Sequence, residues 1–290
     1  DRPLVAAMES QGASVSVFTC DVADPQALRT CLSRIRASGR PLRGLVHSVG
    51  ALDDGVFIKQ DLRRFETVMR PKVSGAWLLH QLTLDDPLDF FVMFSSVASL
   101  FGSVGQANHA AANAFLDALA EYRQAMGKPA QSINWCGWAA IGSAAERGVS
   151  HSIRRGMASL QPDLGLAAFG RLLQSRRARV GVAPMSWETF FSDDRPSAFY
   201  ENMRPRTAFA RGEVAQAVPS RHPDTDVRKQ VERMVAAVLQ WDSSRRIDPN
   251  MGFFEMGMDS LTSVELRNGL QQAFGCRLSA TVAFDYPTVS

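Results

Sequence analysis

The sequence predicts an α/β protein with a doubly wound parallel sheet, incomplete at its N-terminus, and a small all-α helical bundle behind it. Over about the first 207 residues, short apolar runs alternate with long amphipathic segments. Strands that alternate with helices form parallel sheets covered on both faces. Beyond about residue 225 only the helical periodicity continues, so the second unit is expected to contain no sheet.

Five short runs are expected to be the strands of that sheet. Several end in Asp, Ser or Asn, and such sheets bind ligands beyond the carboxyl ends of their strands. Polar residues at these ends are therefore the first site candidates. The predicted strands are residues 14–20, 44–50, 89–96, 129–136 and 179–185, and the predicted helices are 3–11, 25–37, 61–84 and 105–127.

The pattern changes after residue 207. Residues 208–224 are rich in Pro, Ser, Ala and charge, which predicts a linker. Residues 227–241 then carry an apolar stripe that includes Val231 and Val235 and predicts an amphipathic helix. We therefore expect domains over 1–207 and 225–290. The chain starts without methionine and stops within a turn, so we interpret it as part of a longer protein whose second domain is truncated at its C-terminus.

Composition excludes several classes of function. The net charge of +3 on 290 residues is too small to indicate nucleic-acid binding, and no apolar run reaches the length of a membrane span. The four cysteines form no CxxC pair and no HExxH motif is present, so neither a metal site nor a disulfide framework is expected. A reducing cytoplasm is the expected compartment, with no nucleic-acid or membrane partner.

Two polar side chains mark the predicted helix 105–127. His109 and Asn113 lie four residues apart in an alanine-rich run, so they share one helix face. Ser96 ends a predicted strand thirteen residues before His109. A serine at a strand end and an imidazole–amide stripe on the next helix together indicate a site.

Several ordered motifs resemble the ketoreductase domain of modular polyketide synthases, a Rossmann-like short-chain dehydrogenase/reductase fold. The resemblance covers about residues 1–207. It rests on Asp21-Val22, residues 47–55, Pro71-Lys72, residues 94–120 and residues 133–138.

The resemblance assigns the catalytic residues of the family one by one. The family's serine falls on Ser96, its lysine on Lys72 and its asparagine on Asn113. In such a ketone reduction the serine holds the carbonyl oxygen, a phenol beside the lysine donates the proton, and the asparagine anchors a water. The family's tyrosine falls on His109, where this sequence departs from the pattern.

Histidine in the place of the proton donor has opposing consequences. Imidazolium is a competent acid near neutral pH. However, Lys72 and the oxidised nicotinamide ring are cationic and disfavour a protonated imidazole. The side chain is also shorter than tyrosine by about 2 Å, and such a displacement is costly for rate. We therefore expect the reductase to be impaired or silent.

The resemblance implies NADPH as the cofactor. It assigns the adenine contact to Asp21 and Val22, and the strand-end segment beneath the cofactor to His47, Ser48 and Gly50. The glycine-rich turn that binds the pyrophosphate in the family is not in this sequence, so we expect weak cofactor binding by these residues alone.

Two further segments resemble features that control the substrate. Leu52-Asp53-Asp54 is similar to the motif of B-type ketoreductases, and Phe101 stands where A-type enzymes have tryptophan. Residues 142–165 resemble the mobile lid over the substrate. Within it, Arg154 and Arg155 are either a phosphate contact or simply a solvated charged face.

Residues 252–289 resemble an acyl carrier protein, in which 4′-phosphopantetheine is attached to a serine, here Ser260. Ser260 opens a predicted helix, where free backbone N–H groups and the helix dipole favour a phosphodiester. The alternative is that Asp259 or Ser260 serves only as the helix N-cap.

Together the two resemblances imply part of a modular polyketide synthase. The implied partners are an acyl thioester on the carrier arm, ketosynthase and acyltransferase domains, and a phosphopantetheinyl transferase. Three alternatives stay open: a non-catalytic structural ketoreductase beside a working carrier, a stand-alone dehydrogenase for a small ketone, and a multifunctional fatty-acid synthase.

Overall fold

The structure is a computed structural model, and it describes most but not all of the chain. The predicted linker 208–224 and the greater part of the predicted lid, including Arg154 and Arg155, lie outside the described residues. Those described are 2–142, 156–191, 198–204, 227–239, 241, 247–258, 260–276, 278–279 and 282–289.

Four parallel strands form one sheet in the order β1-β2-β3-β4. They are β1 (Gly44–His47), β2 (Phe90–Ser96), β3 (Gln131–Trp135) and β4 (Arg179–Val182). The register pairs His47 with Met93 and Trp135 with both Ser96 and Val182. The carboxyl ends of all four strands therefore lie along one edge of the sheet. The predicted parallel α/β architecture is confirmed.

Helices connect the strands and cover both faces. In chain order they are α1 (Arg2–Ser10), α2 (Pro25–Arg36), α3 (Leu62–Met69), α4 (Gly75–Leu82), α5 (Ala98–Phe101), α6 (Ala107–Ala125), α7 (Pro162–Leu172) and α8 (Trp187–Phe190). Short 3-10 helices occupy Phe57–Lys59 and Ala198–Met203.

Strand β2 divides the core into two layers. Phe91 and Met93 face a cluster with residues of α2, α4 and α6, whereas Val92 faces a second cluster with residues of β3 and α7. Successive strand residues point to opposite faces, so both faces of the sheet are covered. This explains why β2 and β3 read as continuous buried runs rather than as alternating ones.

Two sequence predictions need correction. Residues 14–20 form no strand, and among the described residues they pair with no neighbouring segment. An extended run becomes a strand only when a neighbour completes its hydrogen-bond ladder. The predicted helix 61–84 is interrupted at Arg70–Ser74, which forms a π-helical turn. Pro71 lacks a backbone N–H and cannot continue the regular pattern, which explains the break.

The predicted second domain is helical where it is described. It contains α9 (Val227–Val238), α10 (Ser260–Phe274) and α11 (Val282–Asp285). Val235, Phe253, Met258 and Leu266 are among its buried residues, so α9, α10 and the preceding loop share one core. In the described part of the chain, no helix combines the length and apolarity needed to cross a membrane.

Candidate active site and carrier site

Three of the predicted catalytic residues lie at or beside the carboxyl end of β2. Lys72 Nζ donates to the carbonyl oxygen of Phe94 at 2.8 Å. Ser95 Oγ donates to the backbone oxygen of Asn113 at 3.2 Å. Ser96 is the next residue of the same strand. Lys72, Ser96 and Asn113 thus lie around one strand end, although they come from three separate segments of the chain.

Lys72 is a buried cation. It lies in the π-helical turn and only 6% of its surface is exposed. Burial lowers its pKa to about 8, and attraction by the Asp117 carboxylate opposes that shift. The ammonium is therefore mostly protonated at neutral pH but close to its titration range.

The first turns of α6 present His109 and Asn113. Asn113 is fully buried, and its Nδ2 donates to the backbone oxygen of His109 at 2.8 Å. Its Oδ1 is buried and accepts no hydrogen bond within the described part of the chain. A buried acceptor in this position fits a water or ligand that donates to it. His109 is half-buried, one turn before Asn113 on the same face.

Ser96 is half-buried and keeps a hydroxyl hydrogen to donate. Its Oγ accepts from the backbone N–H of Ala98 at 3.1 Å, at the start of α5. Its carbonyl oxygen accepts from Ser99 Oγ at 2.9 Å and from Asn134 Nδ2 at 3.3 Å. These bonds fix the strand end while leaving the hydroxyl able to contact a carbonyl oxygen.

A buried carboxylate beneath the site was not singled out from the sequence. Asp117 is 2% exposed and accepts from Ser132 Oγ at 2.6 Å, from Ser99 Oγ at 2.7 Å and from Asn134 Nδ2 at 2.8 Å. It joins α5 and α6 to β3. The sequence does carry a signal for this residue, because Asp117 continues the four-residue spacing of His109 and Asn113 on one face of α6.

The predicted adenine contacts lie beside the turn that carries Lys72. Asp21 accepts from the backbone N–H of Ala23 and pairs with Arg70 Nη2 at 2.8 Å. These two bonds, the backbone one first, lower the pKa of the Asp21 carboxyl. Val22 packs so closely on Gly75 that a Cβ there would lie 2.7 Å from its side chain.

The strand-end segment after β1 passes directly over Lys72. A Cβ on Gly50 would lie 3.2 Å from Lys72 Cε, so the backbone of this segment packs closely on the Lys72 side chain. Ser48 and Gly50 are exposed, whereas His47 is buried. Burial, and then the charge of Lys72, lower the pKa of His47 to about 4. His47 is thus neutral at physiological pH and adds no second cation.

A second feature missed from the sequence is Asn108, which clamps the 52–55 loop to α6. Asn108 is fully buried, and its Nδ2 donates to the carbonyl oxygens of Asp53 at 2.8 Å and Arg64 at 3.3 Å. Its Oδ1 accepts from the backbone N–H of His109 at 2.8 Å. The loop that resembles the B-type motif is therefore held against the residue in the donor position.

The predicted carrier serine begins a helix. Ser260 is the first residue of α10, and the preceding loop turns at Gly257, whose φ is 98°. That φ is in the left-handed region and favours glycine. The loop is anchored by Phe253, whose N–H donates to Pro287 at 2.7 Å. Met258 is buried next to the helix start.

Within the described residues, no group of three or more His, Cys, Asp or Glu side chains could hold a metal ion. The polar residues of the site instead form hydrogen bonds with one another and with the strand end.

Comparison with known proteins identifies both parts of the chain. Residues 1–140 match the family model of the KR domain, and residues 229–290 match that of the phosphopantetheine attachment site. Polyketide synthase GfsE from Streptomyces halstedii is 40% identical over 301 residues, which cover 98% of this chain and 8% of GfsE. The pikromycin polyketide synthase component PikAIII from Streptomyces venezuelae is 38% identical, covering 98% of this chain and 20% of PikAIII.

Solved structures give the same result for the α/β domain. A structure of an A1-type ketoreductase superposes with a TM-score of 0.64 and 37% identity over 68% of this chain and 42% of that one. A C2-type ketoreductase from a modular polyketide synthase superposes with a TM-score of 0.61 and 29% identity, over 68% and 43% of the two chains. The B type expected from Leu52–Asp54 stays a prediction.

The matches cover both domains in order, although the chain spans a fifth or less of the curated relatives named above. The chain belongs to the modular polyketide synthase family, with ketoreductase sequence followed by a phosphopantetheine carrier.

Proposed function

We propose that residues 1–207 reduce the β-keto group of an acyl chain with NADPH, and that residues 225–290 carry that chain on 4′-phosphopantetheine at Ser260. Residues 208–224 would link the two. The observation that carries the reductase proposal is the gathering of Lys72, Ser96 and Asn113 around the end of β2.

The residues present fit the nicotinamide cofactor. Ser48 and Gly50 form an exposed strand end above Lys72, and Asp21 lies beside the same turn, through Arg70. In this proposal Asp21 and Val22 would contact the adenine, and residues 47–50 would hold the rest of the cofactor. NADPH, when bound, supplies the hydride.

The chain's own residues would orient and polarise the ketone. Ser96 donates its hydroxyl hydrogen to the carbonyl oxygen, where negative charge develops. Lys72 stabilises that charge, and its cationic form prevails at neutral pH. The Asn113 Oδ1 acceptor holds a water that can relay a proton inward.

The proton for the alkoxide would come from His109. A neutral imidazole is a poor acid, so the step requires the imidazolium form, which leaves a neutral imidazole after the transfer. Lys72 opposes that form because like charges repel. A reaction that depends on this residue therefore slows as the pH rises.

A second candidate function follows from the same residue. If His109 cannot deliver the proton, the α/β domain would act as a structural scaffold while the carrier alone works. The departure from the family's tyrosine is the observation that favours this reading.

The test is NADPH-dependent reduction of a model β-ketoacyl thioester by a protein of module length that carries these residues. Reduction that is lost in His109→Phe and in Ser96→Ala would support the reductase. No reduction by wild type, combined with reduction by His109→Tyr, would support the scaffold and would assign the loss to this one residue. No reduction by either chain, with both folded and binding NADPH, would overturn the catalytic assignment.

The remaining partners follow from the carrier. A phosphopantetheinyl transferase would modify Ser260, and ketosynthase and acyltransferase domains would load and extend the chain. The reducing cytoplasm would be the compartment, since the four cysteines show no disulfide framework in the sequence.

A further inference from the structure

Two cysteines lie close together where the 14–20 segment passes α2. The Cys20 and Cys31 side chains lie close enough to interact and line the same small cavity, although eleven residues separate them in the chain. Cys20 ends the 14–20 segment, and Cys31 lies in α2. This contact brings together two side chains that have no spacing motif in the sequence.

A second contact fixes how the segment lies on the helix. The guanidinium of Arg34 lies 4.9 Å from the ring centre of Phe18. Phe18 precedes Cys20 by two residues, and Arg34 follows Cys31 by three, so the segment runs antiparallel to α2. Two extended residues and three helical residues span comparable lengths, about 7 Å and about 5 Å. The thiol contact is therefore part of a continuous packing register.

The pair is accessible to small molecules. Both cysteines line a cavity of about 220 Å³ that also includes Phe18 and Arg34. Cys20 is exposed and Cys31 is half-buried. The other two cysteines are not comparable: Cys136 is buried in the opposite core layer, and Cys276 follows α10.

We propose that Cys20 and Cys31 form a dithiol modification site that closes to an intramolecular disulfide with a low-molecular-weight disulfide. The exposed Cys20 thiolate attacks one sulfur of the reagent, which forms a mixed disulfide and releases one reduced thiol. The Cys31 thiolate then attacks the Cys20 sulfur and expels the second thiol. The two protein thiols lose two protons and two electrons, and the reagent is reduced to two thiols.

The environment sets the rate of this reaction. Burial raises the pKa of the Cys20 thiol, and the neighbouring Cys31 and the carboxylates of Asp21 and Asp24 raise it further. Only a small fraction is thiolate at neutral pH, so proximity rather than an activated thiol drives closure. The rate of closure should therefore rise as the pH is raised towards the thiol range.

Closure would tether the segment directly before Asp21 to α2. The loop between the cysteines contains Asp24, which caps α2 by accepting from Gln26 and Ala27 N–H at 2.8 and 3.0 Å. The site stands on these contacts alone and does not depend on whether His109 supports reduction.

The experiment treats the 290-residue chain with oxidised glutathione and analyses intact mass and cysteine-containing peptides. Cys276→Ser is the background in every chain, because it removes an exposed thiol that is not part of the pair. We expect a product lighter by two hydrogen atoms with Cys20 joined to Cys31, formed faster at higher pH. In Cys31→Ser, the reaction should stop at a glutathione adduct on Cys20.

A second probe needs no oxidant. Phenylarsine oxide binds two close thiols much more tightly than one, so Cys276→Ser should bind it at least tenfold more tightly than the same chain with Cys31→Ser. Thermal unfolding before treatment verifies that both chains are folded. The proposal is overturned if Cys20 keeps its glutathione while Cys31 stays reduced, or if the two chains bind the arsenical equally.

Discussion

At the scale of single residues, the charge of the buried Lys72 side chain is costly to the fold. Its pKa of about 8 lies well below the 10.5 of an exposed lysine because the side chain is buried. Between these two values the unfolded chain binds more protons than the folded one, so the stability contributed by this group rises with pH across that window. Below about pH 8 both states are charged, and the full cost is present.

We predict that Lys72→Met raises the free energy of unfolding near neutral pH. The advantage over wild type should shrink by about 3 kcal/mol, as an upper bound, between about pH 8 and pH 10.5, because wild-type Lys72 becomes neutral in the folded chain there. Urea unfolding of both chains over this range measures the difference. Arg40→Met, which replaces an exposed cation by the same side chain, is the control. A constant difference between Lys72→Met and wild type would contradict the assignment.

Residues of the candidate site could be predicted from the sequence only where a motif marks them. The family resemblance predicts catalytic roles for Lys72, Ser96 and Asn113, and the structure positions all three around the end of β2. Asp117 and Asn108 were missed. The four-residue spacing places Asp117 on the same helix face as His109 and Asn113, but no local pattern says which backbone or hydroxyl groups either side chain will meet. Their partners, such as Ser132 and Arg64, are distant in the chain and become neighbours only after folding.

At the scale of elements, the 52–55 loop depends on α6 for its position. Asn108 donates to the Asp53 and Arg64 carbonyls from a fully buried site, and Gly55 N–H donates to the Gly105 carbonyl at 2.7 Å. The loop, α3 and the start of α6 therefore form one hydrogen-bonded unit. His109, the residue in the donor position, directly follows Asn108, whose side chain joins these segments.

We predict that Asn108→Ala lowers the free energy of unfolding by about 1–3 kcal/mol, because it removes a fully buried donor to the part-buried carbonyls of Asp53 and Arg64. Gln106→Ala is the matched control, since it removes an exposed bond to Asp54 in the same loop and should cost less than about 0.5 kcal/mol. Urea unfolding with a fluorescence readout measures both. Equal effects of the two substitutions would show that the clamp does not depend on burial.

The elements themselves were predictable wherever periodicity was long and neighbours were present. Helices α2 and α6 lie within two residues of their predicted bounds. The failure at residues 14–20 has a different origin, because a strand depends on hydrogen bonds to another segment and periodicity describes only one. The break at Arg70–Ser74 was foreseeable from Pro71, since a proline inside a helical pattern interrupts it.

At the scale of the whole molecule, the proposed carrier function of the second domain depends on Ser260. We predict that a phosphopantetheinyl transferase with coenzyme A adds the mass of one phosphopantetheinyl group to the chain and none to Ser260→Ala. Thr262→Ala, two residues further along α10, should still be modified. Intact-mass spectrometry distinguishes the outcomes. If Ser260→Ala were still modified, Ser260 would not be the attachment site, and the alternative role of helix N-cap would be left for it.

We expect the length of the linker, rather than a direct contact between the domains, to determine how fast an acyl chain on the carrier is reduced. A random coil of 17 residues, the length of the predicted linker 208–224, spans about 20–25 Å on average, which would hold a bound acyl chain at an effective concentration of about 1 mM. We therefore predict that an acyl chain on Ser260 is reduced about as fast as the same chain on a free thioester at about 1 mM.

The measurement compares single-turnover reduction of the loaded protein with the concentration dependence of the free thioester. It uses the module-length protein, in its His109→Tyr form if wild type is silent. Doubling the linker should lower the tethered rate by less than about threefold, because effective concentration falls roughly as the −3/2 power of length. A tethered rate that matches only micromolar free thioester would mean that the arm does not reach the strand end where Lys72, Ser96 and Asn113 meet. The two domains would then serve different partners, and the carrier would deliver its chain to another module's reductase.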